Sequence, residues 1–197
     1  MACARDGRVG VVRRGRVRRS VALAERVPSY SPLGATRPAE ERWTQAIPGF
    51  RRYERTVLIG HGTRQWAAAA SAVLDWGVKT RSGFAVVPGE GTDRRALECR
   101  SYWLVASLGP LTGREPVRVV AVVEEPTRCG FAYGTLDGHP VSGEEAFIVH
   151  RSPDGGVWLT LRSLTRPSRG GWRLAFPVLL VAQRWYRHRY LRALRAG

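Results

Sequence analysis

Lysine is all but missing from this chain. Of its 32 basic residues 31 are arginine, and Lys79 is the exception. So lopsided a ratio reflects a GC-rich coding sequence more than selection site by site, which weakens any step from the net charge of +16 to nucleic acid alone. Cysteine is scarce as well. Cys3, Cys99 and Cys129 are odd in number and lack CxxC spacing, which argues against a disulfide framework or a zinc site. Reduced, partly buried thiols are the expectation, and a cytoplasmic location suits them. Long apolar runs are absent too: the longest, "LAFPVLLVA" at 174–182, falls far short of the roughly 18 residues that span a bilayer, so no integral membrane segment is expected. The basic N-terminus lacks the compact apolar stretch of a secretory signal. Neither the phosphate-cradling GxxxxGK motif nor the GxSxG of α/β-hydrolases occurs, and Ser142 and Ser163 have no identifiable base.

What is present is enough for a core. The 197 residues are 44% hydrophobic and include seven Trp, six Tyr and five Phe, which excludes global disorder. Residues 1–26 stand apart: "RVGVVRRGRVRRS" (8–20) is arginine-rich and has no apolar stripe long enough to fold alone. They read as a disordered basic arm or as sequence upstream of a misassigned start. Residues 27–197 read as one α+β domain, entered through the Pro-, Gly- and Ser-rich lead-in "VPSYSPLGATRP" (27–38).

Hydrophobic periodicity then places the elements. Residues 51–60 read as a strand and 62–77 as a helix, with Thr63 as N-cap and Gly77 as the left-handed C-terminal residue. From residue 82 the period changes to two, giving strands at 82–88, 99–108, 116–125, 128–136, 143–151 and 156–164, with short linkers that favour antiparallel neighbours. A long helical pattern at 168–197 closes the chain, with Trp172, Phe176, Leu179, Gln183, Tyr186, Tyr190 and Leu194 at three- and four-residue steps and a kink or restart at Pro177. One antiparallel sheet and one long amphipathic helix must bury each other. The expected fold is a START-like helix-grip, a curved antiparallel sheet of six to seven strands around a long C-terminal helix. A two-layer α+β fold without a cavity is the alternative.

At "GFAYGTLDGHPVSGEEAF" (130–147) the chain closely resembles an uncharacterised family of bacterial and plant proteins, known as domain of unknown function nineteen-ninety. "YSPLGATR" (30–37), "VLIGHGTRQWAAAASAVLDW" (57–76), "TRPSRGGWRLAFP" (165–177) and "QRWYRHRYLRAL" (183–194) agree with it in order, so the resemblance covers roughly 28–197. Leu164-Thr165 departs from the pattern, where Phe-Ser is expected before Arg-Pro. The resemblance implies no established reaction, so no residue inherits a catalytic role.

The same stretch carries the site candidates. Phe131, Tyr133 and Thr135 share one face of their strand, and Gly134 on the other permits a close approach or marks a bulge. "DGHP" (137–140) is turn chemistry. Alternation sends Glu144 and Glu145 to opposite faces, so they are not a paired-carboxylate site. Whichever points inward needs a partner, and His139, Tyr133, Arg118 and Arg166 are the candidates. Two readings stay open: a buried network that pins the hairpin, or a site for ligand or acid–base chemistry. No metal or cofactor is expected, since His139 and Glu144 are two potential ligands where three or four are needed. His150 and His188 read as surface residues.

The leading expectation is a binding domain for a small apolar or amphipathic ligand, in a cavity between sheet and C-terminal helix, with Tyr133, Thr135, His139, Glu144, Glu145 and Arg166 as candidate contacts. One alternative is an enzyme on that scaffold, a cyclase or hydrolase using the inward glutamate with His139. Another is a peripheral binder of anionic membrane or nucleic acid, because Arg184, Arg187, Arg189, Arg192 and Arg195 alternate with Trp185, Tyr186 and Tyr190.

Overall fold

The period-two region folds as six consecutive antiparallel strands, and the first strand of the chain returns to close the sheet at its far edge. The computed structural model describes residues 22–108, 111–168 and 172–195, excepting the side chains of 107, 108, 111, 172–176, 178 and 179. Its elements are β1 (Arg51–His61), α1 (Gly62–Leu74), α2 (Gly77–Thr80), β2 (Phe84–Pro88), β3 (Ser101–Leu108), β4 (Leu111–Glu125), β5 (Arg128–Thr135), β6 (Val141–Arg151), β7 (Gly156–Pro167) and α3 (Trp172–Tyr190). The curved sheet has the order β1-β7-β6-β5-β4-β3-β2, every neighbouring pair antiparallel. This is the helix-grip arrangement.

Alternation along each strand gives the sheet two different faces. The inner face holds the main core: Phe131, Tyr133, Phe147, Val149, Leu159 and Leu161 meet Val73, Leu74 and Trp76 from the first helical region and Tyr190, Leu191 and Leu194 from the C-terminal one. Trp76 is fully buried and stacks within 4.5 Å of Phe131 and 4.9 Å of Tyr102, ring centre to ring centre. It also takes the left-handed conformation (φ 60°) expected of Gly77. Gly77 instead opens α2, where a Cβ would lie 2.6 Å from the Ala72 carbonyl oxygen. The N-cap of α1 is His61, not Thr63, and makes no side-chain capping bond. Pro177 lies within α3, which runs unbroken from Trp172 to Tyr190.

The outer face is covered by the lead-in. Residues 27–50 form no helix or strand of their own and are gripped through their backbone. Arg162, buried in spite of its charge, donates to the carbonyls of Thr36, Arg37, Glu40 and Glu41. Arg128 donates to those of Pro38 and Glu40. Ala35, Trp43 and Leu164 form a small second core beneath. Of the expected basic arm, residues 1–21 lie outside the described residues. Residues 22–26 pack on the sheet, with the Ala24 and Arg26 carbonyls bonded by Arg118 and the Arg26 guanidinium over Trp103.

Cys129 is a buried free thiol, and burial pushes its pKa up to about 11, so it is inert at neutral pH. Cys99 is disulfide-bonded, which departs from the expectation of reduced thiols. No described helix is long and apolar enough to cross a membrane.

Gly143, at the start of the β6 return, has φ 151°, and a Cβ there would meet the Leu164 carbonyl oxygen at 1.8 Å. That neighbour is strand backbone and cannot swing aside. Gly143→Ala is therefore expected to cost about 2–4 kcal/mol, read as a lower urea midpoint. A midpoint equal to that of the parent protein would refute this account of the glycine.

Candidate functional site

Between the inner face of β5–β7 and α3 lies a cavity of about 120 Å³. Its walls are largely apolar or aromatic (Phe84, Ala106, Ala182, Tyr186 and Tyr190), while Lys79, Glu115, Tyr133, His139 and Glu145 bring polar groups to it. Each arrives on a different element: Lys79 from the one-turn α2, Glu115 from β4, Tyr133 from β5, His139 from the β5–β6 turn, Glu145 from β6 and Tyr190 from the end of α3. Tyr133 and Glu145 are register partners across β5 and β6, which fixes both side chains on the inner face.

Glu145 is the inward glutamate, and its partner is Lys79. The ammonium sits 2.8 Å from Oε2 of Glu145 and donates to the Tyr190 hydroxyl at 2.7 Å. The Tyr133 hydroxyl donates to the same carboxylate oxygen. Among the described residues, Oε1 of Glu145 takes no bond, although the side chain lines the cavity. Lys79 is 3% exposed and lies over four rings, with its nitrogen 4.4 Å from the centre of Tyr190, 4.7 Å from Phe84, 5.1 Å from Tyr133 and 5.5 Å from Phe147. Burial, then the Glu145 charge, holds the pKa of Tyr133 and of Tyr190 well above the ordinary phenol value. Both phenols therefore stay protonated at neutral pH, Tyr133 donating to Glu145 and Tyr190 accepting from Lys79.

His139 belongs to a second pair at the same cavity. Its Nδ1 accepts the Val141 N–H at 3.1 Å, which leaves Nε2 facing a Glu115 oxygen at 3.5 Å. Burial pushes the Glu115 carboxyl up, but His139 and then Lys79 outweigh it, and the net shift is downward. Glu115 is thus ionised at neutral pH.

The other predicted residues lie elsewhere or do other work. Glu144 points to the outer face and is enclosed by the lead-in: Oε2 accepts from the Tyr30 hydroxyl (2.6 Å) and the N–H groups of Gly34 (2.8 Å) and Ala35 (3.3 Å), and Oε1 from the N–H (2.8 Å) and hydroxyl of Thr36. A carboxylate so fully satisfied has no capacity left for a ligand. Tyr30 lies against Gly134, where a Cβ would meet its hydroxyl at 2.2 Å. Arg166 is also on the outer face, bonded to Ser142 and the Ser29 carbonyl and stacked over Phe50. Arg118 bonds Ser101 and the Ala24 and Arg26 carbonyls on the same side. Thr135 borders the cavity, but its hydroxyl bridges Ser29 and Gly143. The inward glutamate and His139, paired in the enzyme expectation, have separate partners. Among the described residues no group of three metal-ligating side chains occurs. His150, expected at the surface, is half-buried on β6, where burial lowers its pKa.

Lys79, Glu115 and Tyr190 are absent from the candidate ligand contacts read from the sequence. One signal for Lys79 was on the page: in a chain that uses arginine everywhere else, the single lysine marks a place where a guanidinium does not serve. A four-ring cage around a compact ammonium is such a place.

A curved antiparallel sheet that holds a small, charged-floor cavity against a C-terminal helix defines a helix-grip protein with an enclosed polar anchor. The chain belongs to the family described as Domain of unknown function (DUF1990), whose model matches residues 29–193. It is 32% identical over 184 residues to a UPF0548 protein of Deinococcus radiodurans, covering 86% of this chain and 87% of that one. It is 26% identical over 144 residues to a UPF0548 protein of Arabidopsis thaliana, covering 70% and 68%. Among solved structures, a hypothetical protein from Helicobacter pylori superposes with a TM-score of 0.53 at 11% identity, over 75% of this chain and 89% of that one, a likeness of fold alone.

Proposed function

We propose that the protein binds a small, mostly apolar molecule carrying one hydrogen-bond donor, with the donor group held by Glu145. The observation that carries this reading is the Oε1 of a buried carboxylate, without a bond among the described residues, whose other oxygen is locked by Lys79 and Tyr133. A carboxylate oxygen in an apolar surround gains from a donor, and the fixed ion pair holds it in place before the ligand arrives. The aromatic walls supply the apolar contact. Size sets the class: about 120 Å³ is below the roughly 300 Å³ at which drug-sized pockets begin. The fit is a phenol-sized ring, or the polar head of a longer amphiphile whose tail leaves the cavity.

Native mass spectrometry, followed by denaturing extraction, tests the idea directly. The expected result is a bound species of that size, or a melting temperature raised by phenol and alkylphenols in the parent protein and unchanged in Glu145→Gln. A protein that is empty and whose melting temperature no member of that panel raises would sink the proposal.

A further inference from the structure

The face of α3 turned away from the cavity has no partner among the described residues, and its chemistry is specific. Gln183, Tyr186 and Tyr190 give one side of the helix to the cavity. On the other side, Val181 and Trp185, one turn apart, are 70% and 51% exposed, more than any other exposed large hydrophobic residue among those described. Between this helix and the edge strand β1 runs an open groove of about 560 Å³, lined by five arginines and by no carboxylate. One of the five, Arg52, is engaged with Glu54 and the Trp43 ring, whereas Arg51, Arg55 and Arg184 are exposed. Arg189 lies over the Trp185 ring at 4.9 Å, which sets a cation beside the exposed aromatic.

We propose that this face docks on an anionic lipid bilayer, with Val181 and Trp185 entering the headgroup layer while Arg51, Arg55 and Arg184 meet the lipid charges. Charge complementarity calls for an anionic occupant. The apolar pair selects among such occupants. A duplex would use the arginines, but its phosphate surface gains nothing from burying Val181. A bilayer interface rewards both: tryptophan settles at headgroup level and an aliphatic side chain at the acyl boundary.

Co-sedimentation with phosphatidylcholine vesicles, with and without phosphatidylserine, tests this on the full chain. Binding is expected only to the phosphatidylserine vesicles, and it should weaken as salt rises. Each arginine near an anionic surface is worth about fivefold in partitioning, so Arg51→Gln/Arg55→Gln/Arg184→Gln should lower it roughly a hundredfold. Val181→Ser/Trp185→Ala should lower it at least about tenfold without moving the melting temperature, because both side chains are exposed. Absence of sedimentation, or equal binding to neutral vesicles, overturns the proposal. So does a Val181→Ser/Trp185→Ala variant that partitions like the parent protein. Tight binding to duplex DNA that ignores the apolar substitutions would assign the arginines to nucleic acid instead.

Discussion

Replacing Glu144 by alanine is expected to destabilise the protein by about 3–5 kcal/mol, more than any other single change on the outer face of the sheet. The carboxylate collects donors from Tyr30, Gly34, Ala35 and Thr36, all within one short loop of the lead-in. Hydrogen bonds to a charged group are worth about 1.5–3 kcal/mol each and are not additive, while every buried donor left behind carries its own desolvation cost. Glu144→Gln should recover little, because its amide nitrogen would face donors where an acceptor is required. The effect should also be local before it is global. Amide exchange at 34–36 should accelerate ahead of that of β5 and β6, and proteolysis should cut within the lead-in first. Parent-like stability together with protected amides at 34–36 would show that something else holds the loop. On this account the first glutamate of the pair is a fastener, and its neighbour alone is free for function.

That division shows where sequence reasoning reaches and where it stops. Strands β2–β7 were legible because period-two patterning and short turn-rich linkers mark antiparallel strands, even though β5–β7 are buried on both faces, and α3 because its aromatic residues recur at helical steps. The same alternation put Glu144 and Glu145 on opposite faces, but it could not say which face was which, since that depends on what covers the sheet. What covers the outer face is the lead-in, which has no periodicity to read. It is held through its carbonyls by Arg128 and Arg162, and a carbonyl leaves no trace in a sequence. Arg162, fully buried, shows the same limit from the other side: its residue type says surface, and the lead-in carbonyls around it together with the Glu54 carboxylate, 2.8 Å from its Nε, make burial tolerable. The partners of Glu145 were hidden for a further reason. Lys79 stands on a single helical turn too short to display a pattern, and Tyr190 reads as one more rung of an apolar stripe.

Lys79→Met should cost about 3–5 kcal/mol, because it leaves the Glu145 carboxylate buried with Tyr133 alone. Lys79→Arg should rescue little of this. A planar guanidinium is longer and wider than an ammonium, and four rings already fill the space around the nitrogen. The informative variant is the double one, Lys79→Met/Glu145→Leu, in which a buried ion pair gives way to apolar groups of similar volume. Such exchanges are often neutral or stabilising by about 1–4 kcal/mol, so the double variant should be at least as stable as the parent protein and far more so than Lys79→Met. Urea denaturation of the parent, both single variants and the double variant closes the cycle. If the double variant proves as unstable as the worse single one, the pair does not act alone, and its coupling to His139–Glu115 or Tyr190 carries the energy. If it is stable, the fold has no need of the charges, and their presence at the cavity requires another reason. If native mass spectrometry finds a small molecule on the parent protein, a folded, stable double variant that no longer takes it up would supply it: the ion pair would then be kept for what it holds in the cavity.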